Sequence, residues 1–315
     1  MNNTLLDKYQ NFIFDLYGTL LDIETNEHKP SLWRFMAECY NTYGCEWKAK
    51  NLHEAFFKAD REERELLKIK TGYEHPEIKL ERVFARMFLE CPKYHKSRTP
   101  ITLKNQKTNH ELILFEHISQ KNKKISDKNI VDELATSDTV TFIANAFRIY
   151  SYRRLRPYRN TIPFLKYLKE HGKRVYLLSN AQAVFTVPEI EKSGLMPYFD
   201  GIYISSDYQM MKPQKEFMEL LLDREGLDPK ECVMTGNDIS SDLRIAVRCG
   251  MDSILLNTWK QTDEEIHSNI TKMLKEEGLS LRSKKTPKLT VVGSGDIGEL
   301  IYGTDSSATV SLINP

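Results

Sequence analysis

The chain has 315 residues, 45 of them basic and 44 acidic, with 40% hydrophobic and 28% charged. That length leaves room for two domains, and the apolar content is enough to bury a core. A net charge of +1 gives no global electrostatic reason to expect nucleic acid or an anionic membrane surface as a partner.

Residues 12–22 read Phe-Ile-Phe-Asp-Leu-Tyr-Gly-Thr-Leu-Leu-Asp. A short apolar burst that ends in Asp15 predicts a buried strand of a parallel sheet, with a carboxylate at its C-terminal edge. Open α/β sheets place their chemistry at that edge. Gly18 allows the chain to turn back there. Taken alone, Asp15 reads as a turn cap.

From residue 23 to 156 the pattern becomes helical. Leu32, Phe35, Met36, Cys39 and Tyr40 mark one amphipathic face, Val83, Phe84, Met87 and Phe88 a second, and Ile143, Phe147 and Tyr150 a third. Residues 95–128 interrupt this block with a polar, solvated and basic insertion around an apolar island at 112–115. Its expected form is part loop and part short strand or helix.

Pro157 returns the chain to alternating elements. A helix over 162–171 is expected to end at Gly172, with strands near 174–178, 201–205, 232–235 and 252–256. The first of these runs into Ser179-Asn180, where a hydroxyl and backbone amides suit an anionic oxygen; either residue also reads as a cap. Lys212-Pro213 follows the next strand, a pair that alone suits a solvated loop. The strand near 232–235 meets Gly236, Asn237 and Asp238, and the spacing of Asp238 and Asp242 puts them on one helical face. Those acids also suit a helix N-terminus. In the tail, residues 289–298 carry a literal G-x-G-x-x-G after an apolar run. Only 17 residues follow Gly298, too few to complete a dinucleotide unit, so a strand and turn packed on the core are expected.

These four constellations, in this order, resemble the haloacid dehalogenase superfamily. The resemblance covers 10–22 and 157–258 well and the intervening block loosely. It implies a doubly wound α/β parallel sheet in the order 5-4-1-2-3, with an inserted, mainly helical cap. The implied domains are a core of 1–22 and 157–283, a cap of 23–156, and an extension of 284–315. By resemblance Asp15 is the nucleophile, Ser179 and Lys212 hold charge and substrate, and Thr19 joins the catalytic set. Tyr17, Asn180 and Arg34 are the implied substrate contacts. Asp15, the Tyr17 carbonyl, Asp238 and Asp242 are the implied ligands of Mg²⁺. One position departs from the superfamily's phosphatases: two residues after the nucleophile they carry an Asp general acid, where this chain has Tyr17. The 2-haloacid dehalogenases carry D-x-Y-G-T there. They also carry an Asn where this chain has Ile239, and a Tyr where it has Met218. The fourth motif overlays with Asn237 at its first acidic position.

The expected function is therefore Mg²⁺-dependent hydrolysis of a small phosphorylated metabolite through a covalent aspartyl intermediate. Metal-free dehalogenation of a 2-haloacid, and a non-catalytic binding module, remain the alternatives. The expected partner is a small molecule, with neither nucleic acid nor membrane. Five scattered cysteines without C-x-x-C spacing predict reduced thiols. The eight histidines show no zinc spacing. With no signal peptide or bilayer-length apolar run legible, the expected location is cytoplasmic.

Overall fold

A computed structural model describes residues 7–95, 102–104, 111–113, 128–302 and 310–312. Two compact units emerge. One comprises Met1–Ile23, Tyr73–His75 and Arg154–Pro315, the other Glu24–Gly72 and Pro76–Arg153. The chain starts in the first unit with β1 (Asn11–Phe14) and leaves it along β2 (Leu21–Thr25).

The second unit is helical. Its α1 (Pro30–Thr42) begins on a proline, which has no N–H to leave unpaired in a first turn. It buries Leu32, Trp33, Met36 and Tyr40, a stripe of three- and four-residue steps. Helix α2 (Ala49–Thr71) stops at Gly72, whose left-handed backbone lets its N–H reach the Lys68 carbonyl at 2.9 Å. Next come α3 (Leu80–Leu89), the antiparallel pair β3 (Thr102–Lys104) and β4 (Glu111–Ile113), α4 (Lys128–Ala135) and α5 (Asp138–Ser151). The Ser137 hydroxyl caps α5 by accepting from Val140 N at 3.3 Å. Phe56, Phe84 and Phe147 pack ring on ring with centroids 5.1–5.5 Å apart. The expected polar insertion, apart from β3 and β4, lies almost wholly outside the described residues.

The chain re-enters the first unit along β5 (Tyr152–Pro157), which pairs with β2 in a two-stranded ribbon. There follow α6 (Thr161–Glu170), β6 (Arg174–Ser179), α7 (Ala183–Lys192), β7 (Gly201–Ile204), α8 (Ser205–Tyr208), α9 (Lys215–Glu225) and β8 (Cys232–Gly236). A π-helical turn, Ile239–Leu243, runs into α10 (Arg244–Arg248), then β9 (Asp252–Leu256), α11 (Asp263–Glu276), β10 (Leu289–Val292), α12 (Glu299–Tyr302) and β11 (Val310–Leu312).

The central sheet has the order β11-β10-β9-β8-β1-β6-β7. Its inner run, β9-β8-β1-β6-β7, is the expected 5-4-1-2-3. Strand β10 adds a further parallel strand beside β9, and antiparallel β11 closes that edge. The glycine-rich turn after β10 leads only to the four-residue α12. Its Asp296 accepts from the Asn160 amide at 2.7 and 2.9 Å, so the turn is packed on the core. Both faces of β1 are buried, Phe12 and Phe14 against Leu177, Val233 and Ile254, and Ile13 against Tyr176, Leu178 and Met234. That is why the strands read as continuous apolar runs. Among the described residues no helix is long and apolar enough to cross a membrane.

Candidate active site

Strand β1 lies between β6 and β8, with Phe14 level with Leu177 on one side and Thr235 on the other. This register brings Asp15, just beyond β1, and the last residues of β6 and β8, Ser179 and Gly236, to one edge. Asp15 is buried, and its N–H is fixed by the Thr235 carbonyl at 2.9 Å. Lys212, 2% exposed, places Nζ 2.8 Å from Asp15 Oδ1 and 2.7 Å from Asp242 Oδ1. The Ser179 hydroxyl makes a longer 3.4 Å contact to Asp15 Oδ1, and Thr19 Oγ1 lies 3.2 Å from Oδ2.

The fourth motif folds around Asp242. Its Oδ2 accepts from the backbone amides of Asn237 and Asp238, each at 3.0 Å. Gly236 is required there: a Cβ on it would sit 2.1 Å from that oxygen. Asp238 takes a different part. Its Oδ1 accepts from Ser240 N and Oγ, both at 2.7 Å, capping the π-helical turn. Asp238 and Asp242 therefore do not share one α-helical face, because Asp238 precedes the helix as its cap and the turn is wound wider.

Asn237, read only as a softened first position in the sequence, faces the nucleophile loop. Gly18, at φ +81°, lies so close that a Cβ would meet the Asn237 amide at 2.4 Å. The amide is best satisfied with its nitrogen toward the Tyr17 carbonyl (3.3 Å) and Thr19 Oγ1 (3.1 Å), and its oxygen accepting from Trp259 Nε1 at 3.0 Å. The Thr19 hydroxyl then keeps its one proton for Asp15. Turned over, the amide oxygen would face the Tyr17 carbonyl, an oxygen–oxygen contact that a cation satisfies. Among the described residues no three His, Cys, Asp or Glu side chains gather around one point. The donors that do adjoin one another are oxygens: Asp15, the Tyr17 carbonyl and Asn237. Such a hard set of oxygens, with one carboxylate, fits Mg²⁺ better than a thiolate- or imidazole-seeking metal.

The other candidates divide. Asn180 turns both ends of its amide to the Lys212 backbone, donating to its carbonyl at 2.9 Å and accepting from its N–H at 2.7 Å. Its place is thus to position Lys212. Residues Tyr73–His75, remote in sequence, belong to the sheet unit and brace the same loop. The His75 carbonyl accepts from Met211 N at 3.0 Å, and His75 N donates to Gln214 Oε1 at 3.1 Å. No sequence signal marked that contact. The Tyr17 hydroxyl bonds Glu189 Oε2 and lies 3.0 Å from Thr186 Oγ1, both on α7. Arg34 is an exposed residue of α1 in the helical unit.

Burial by itself would strip Lys212 of its proton, but Asp15 and Asp242 outweigh it and hold its pKa above the ordinary lysine value. Burial pushes Asp242 up to about 6 against the pull of Lys212, and the charge of Asp15 adds to the rise. With all three charged, two carboxylates and one ammonium leave the centre at −1. An anionic substrate needs that sign reversed.

The buried carboxylate–ammonium–carboxylate row lies at the carboxyl edge of a doubly wound sheet, where such sheets place their ligands. The family model of haloacid dehalogenase-like hydrolases matches residues 9–250, and the chain belongs to that family. Glyceraldehyde 3-phosphate phosphatase of Methanothermobacter thermautotrophicus is 32% identical over 113 residues, 36% of this chain and 50% of that protein. The enzyme of the same name from Methanocaldococcus jannaschii is 29% identical over 119 residues, 37% of this chain and 52% of that protein. The chain thus spans about half the length of the curated relatives it matches. Among solved structures, L-2-haloacid dehalogenase from Xanthobacter autotrophicus has 15% identity and a TM-score of 0.46, covering 94% of this chain and 99% of that one.

Proposed function

We propose that this hydrolase removes the phosphoryl group of a small phosphorylated metabolite through a covalent intermediate on Asp15. The observation that carries the reading is the Lys212 ammonium held between Asp15 and Asp242 at 2.8 and 2.7 Å. It holds the Asp15 carboxylate in one orientation, as a nucleophile must be held. Ser179 and Lys212 bind the transferring oxygens, and Thr19 steadies the Asp15 oxygen opposite the lysine. Asp242 holds Lys212 and the strand-tip amides, and Asn180 locks the lysine loop. Mg²⁺, held by Asp15, the Tyr17 carbonyl and Asn237, would supply two positive charges that turn the centre from −1 to +1, the sign a phosphate needs. Asp238, as a cap, is at most an outer partner, and Asp242 has both oxygens engaged. The relatives named as phosphatases support this reaction class.

Dehalogenation is supported by Tyr17 and by Asn180, which follows the motif-two Ser as in the dehalogenases. The other two positions that differ from the dehalogenases, Ile239 and Met218, are buried apolar residues here and offer no polar contact to a haloacid. A binding module without chemistry leaves the expensive burial of three charges unexplained. The test is a panel of phosphomonoesters, acyl phosphates and 2-haloacids, with Mg²⁺ and with excess chelator. Phosphate release that requires Mg²⁺ is expected. Halide release that persists in chelator would replace this reading with dehalogenation.

A further inference from the structure

Two residues after Asp15, where the superfamily's phosphatases carry their general acid, stands a tyrosine that is anchored elsewhere. The Tyr17 ring packs against the sheet core beside Phe14 and Leu20. Its hydroxyl bonds Glu189 Oε2, with Thr186 Oγ1 alongside at 3.0 Å. Glu189 and Thr186 are 3% and 0% exposed. The phenol donates to Glu189 Oε2, and its single proton belongs to that bond. Thr186 in turn donates to the Gln182 carbonyl at 2.9 Å. The proton at this position is therefore directed into α7.

Resting on the phosphoryl-transfer reading, we propose that the substrate is a phosphate whose leaving oxygen departs as a stable anion. An acyl phosphate, the mixed anhydride of a carboxylic and phosphoric acid, fits before any alkyl monoester. In the first step an Asp15 oxygen forms a bond to phosphorus as the bond from phosphorus to the acyl oxygen breaks. The electron pair leaves with the carboxylate, and no proton moves. In the second step water attacks the aspartyl phosphate, the Asp15 carboxylate departs with its electron pair, and the water's proton passes to solvent or to the released phosphate. The anchored phenol does not take that proton either. The second step is then the slower one for a good leaving group, and the phosphoenzyme accumulates.

The experiment uses the full chain with Mg²⁺ and measures kcat/KM for acetyl phosphate, a series of substituted phenyl phosphates and glycerol 3-phosphate. A steep fall with rising leaving-group basicity is expected, together with a pre-steady-state burst approaching one equivalent for the best substrates. Restoring an acid with Tyr17→Asp, combined with Glu189→Gln to remove the buried partner charge, should raise the alkyl-to-aryl ratio by up to roughly 10²–10⁴-fold. In an otherwise unchanged chain, Glu189→Gln should leave that ratio where it was. A flat leaving-group dependence in the wild type overturns the inference while leaving phosphoryl hydrolysis standing. So does a Glu189→Gln enzyme that loses alkyl turnover selectively, since the Tyr17–Glu189 pair would then be the acid. No turnover of any phosphate overturns both readings at once.

Discussion

The sheet unit and the helical unit bury different things. At the carboxyl edge of the sheet, Asp15, Ser179, Lys212, Asn237 and Asp242 are all buried, and each is hydrogen-bonded to another member or to the strand-tip backbone. In the helical unit the interior is mostly aromatic and aliphatic, and the two acids buried with it, Glu63 and Glu77, are paired with arginines. Arg86 pairs there with Glu62, Glu63 and Glu90 at 2.5 to 3.3 Å, with Glu62 and Glu90 partly exposed. Burying a row of charges costs stability that apolar packing would not. The row at the sheet edge lies where open α/β sheets place their ligands, whereas the buried acids of the helical unit serve neighbouring arginines of its own helices.

Removing the proposed nucleophile should sharpen that contrast most. Asp15→Asn is expected to lower turnover by roughly 10⁴–10⁶-fold, as for other covalent nucleophiles, with the fold intact by circular dichroism. Activity within a hundredfold of wild type would take Asp15 out of that role.

Lys212→Met should expose the cost of the buried row. It leaves two carboxylates without their cation and is expected to cost about 3–5 kcal/mol in denaturant unfolding. The sign of its pH dependence follows from a folded pKa above the ordinary 10.5. The stabilisation is fully present below 10.5 and is lost as pH rises through the folded value. Melting temperatures of the wild type and the variant should therefore converge in strong base. A gap that persisted there would mean that the lysine stabilises through packing instead.

In the helical unit, Leu32→Ala should cost about 2–5 kcal/mol by leaving a cavity. Hydrogen exchange should show the loss in α1, α2 and α5, with β1, β6 and β8 still protected. Equal loss in the sheet would show that the two units unfold as one.

Asn237→Asp should tighten Mg²⁺ by about tenfold, ~1.4 kcal/mol, read by calorimetry without substrate. Unchanged affinity would remove Asn237 from the ligand set. The smallest effect is expected from deleting residues 97–126, whose sequence lacks a strong apolar period. The protein should stay folded, with its melting temperature shifted by a few degrees at most. Insoluble product would make that segment part of the helical core.

Much of this was legible in the chain. The runs that became β1, β6, β7, β8 and β9 are short, apolar on both faces and closed by polar residues, so their type and approximate limits follow from burial alone. The G-x-G-x-x-G turn is tied to the core through Asp296 and Asn160, in line with the expected strand and turn packed there. Asp15, Ser179 and Lys212, each of which alone reads as a cap or loop residue, could be singled out because four motifs in the order of the haloacid dehalogenase superfamily carry them.

What the sequence determined by itself is the set of short apolar strands, each closed by polar residues, and the helical block that follows the first of them. Local periodicity suffices for those. The strand order, and the edge where the carboxylates and lysine meet, were expected from the resemblance of the four motifs. Tertiary structure alone decided which polar group each residue faces. Asp238 became a cap rather than a partner of Asp242, Asn180 turned to the Lys212 backbone, and Asn237 came to face the Asp15 loop. Tyr17 was drawn to Glu189, 172 positions away, and Tyr73–His75 came to brace the lysine loop. A side chain's hydrogen-bond partner is set by angles and by which atoms the fold brings within about 3 Å, and neither quantity is written in residue spacing.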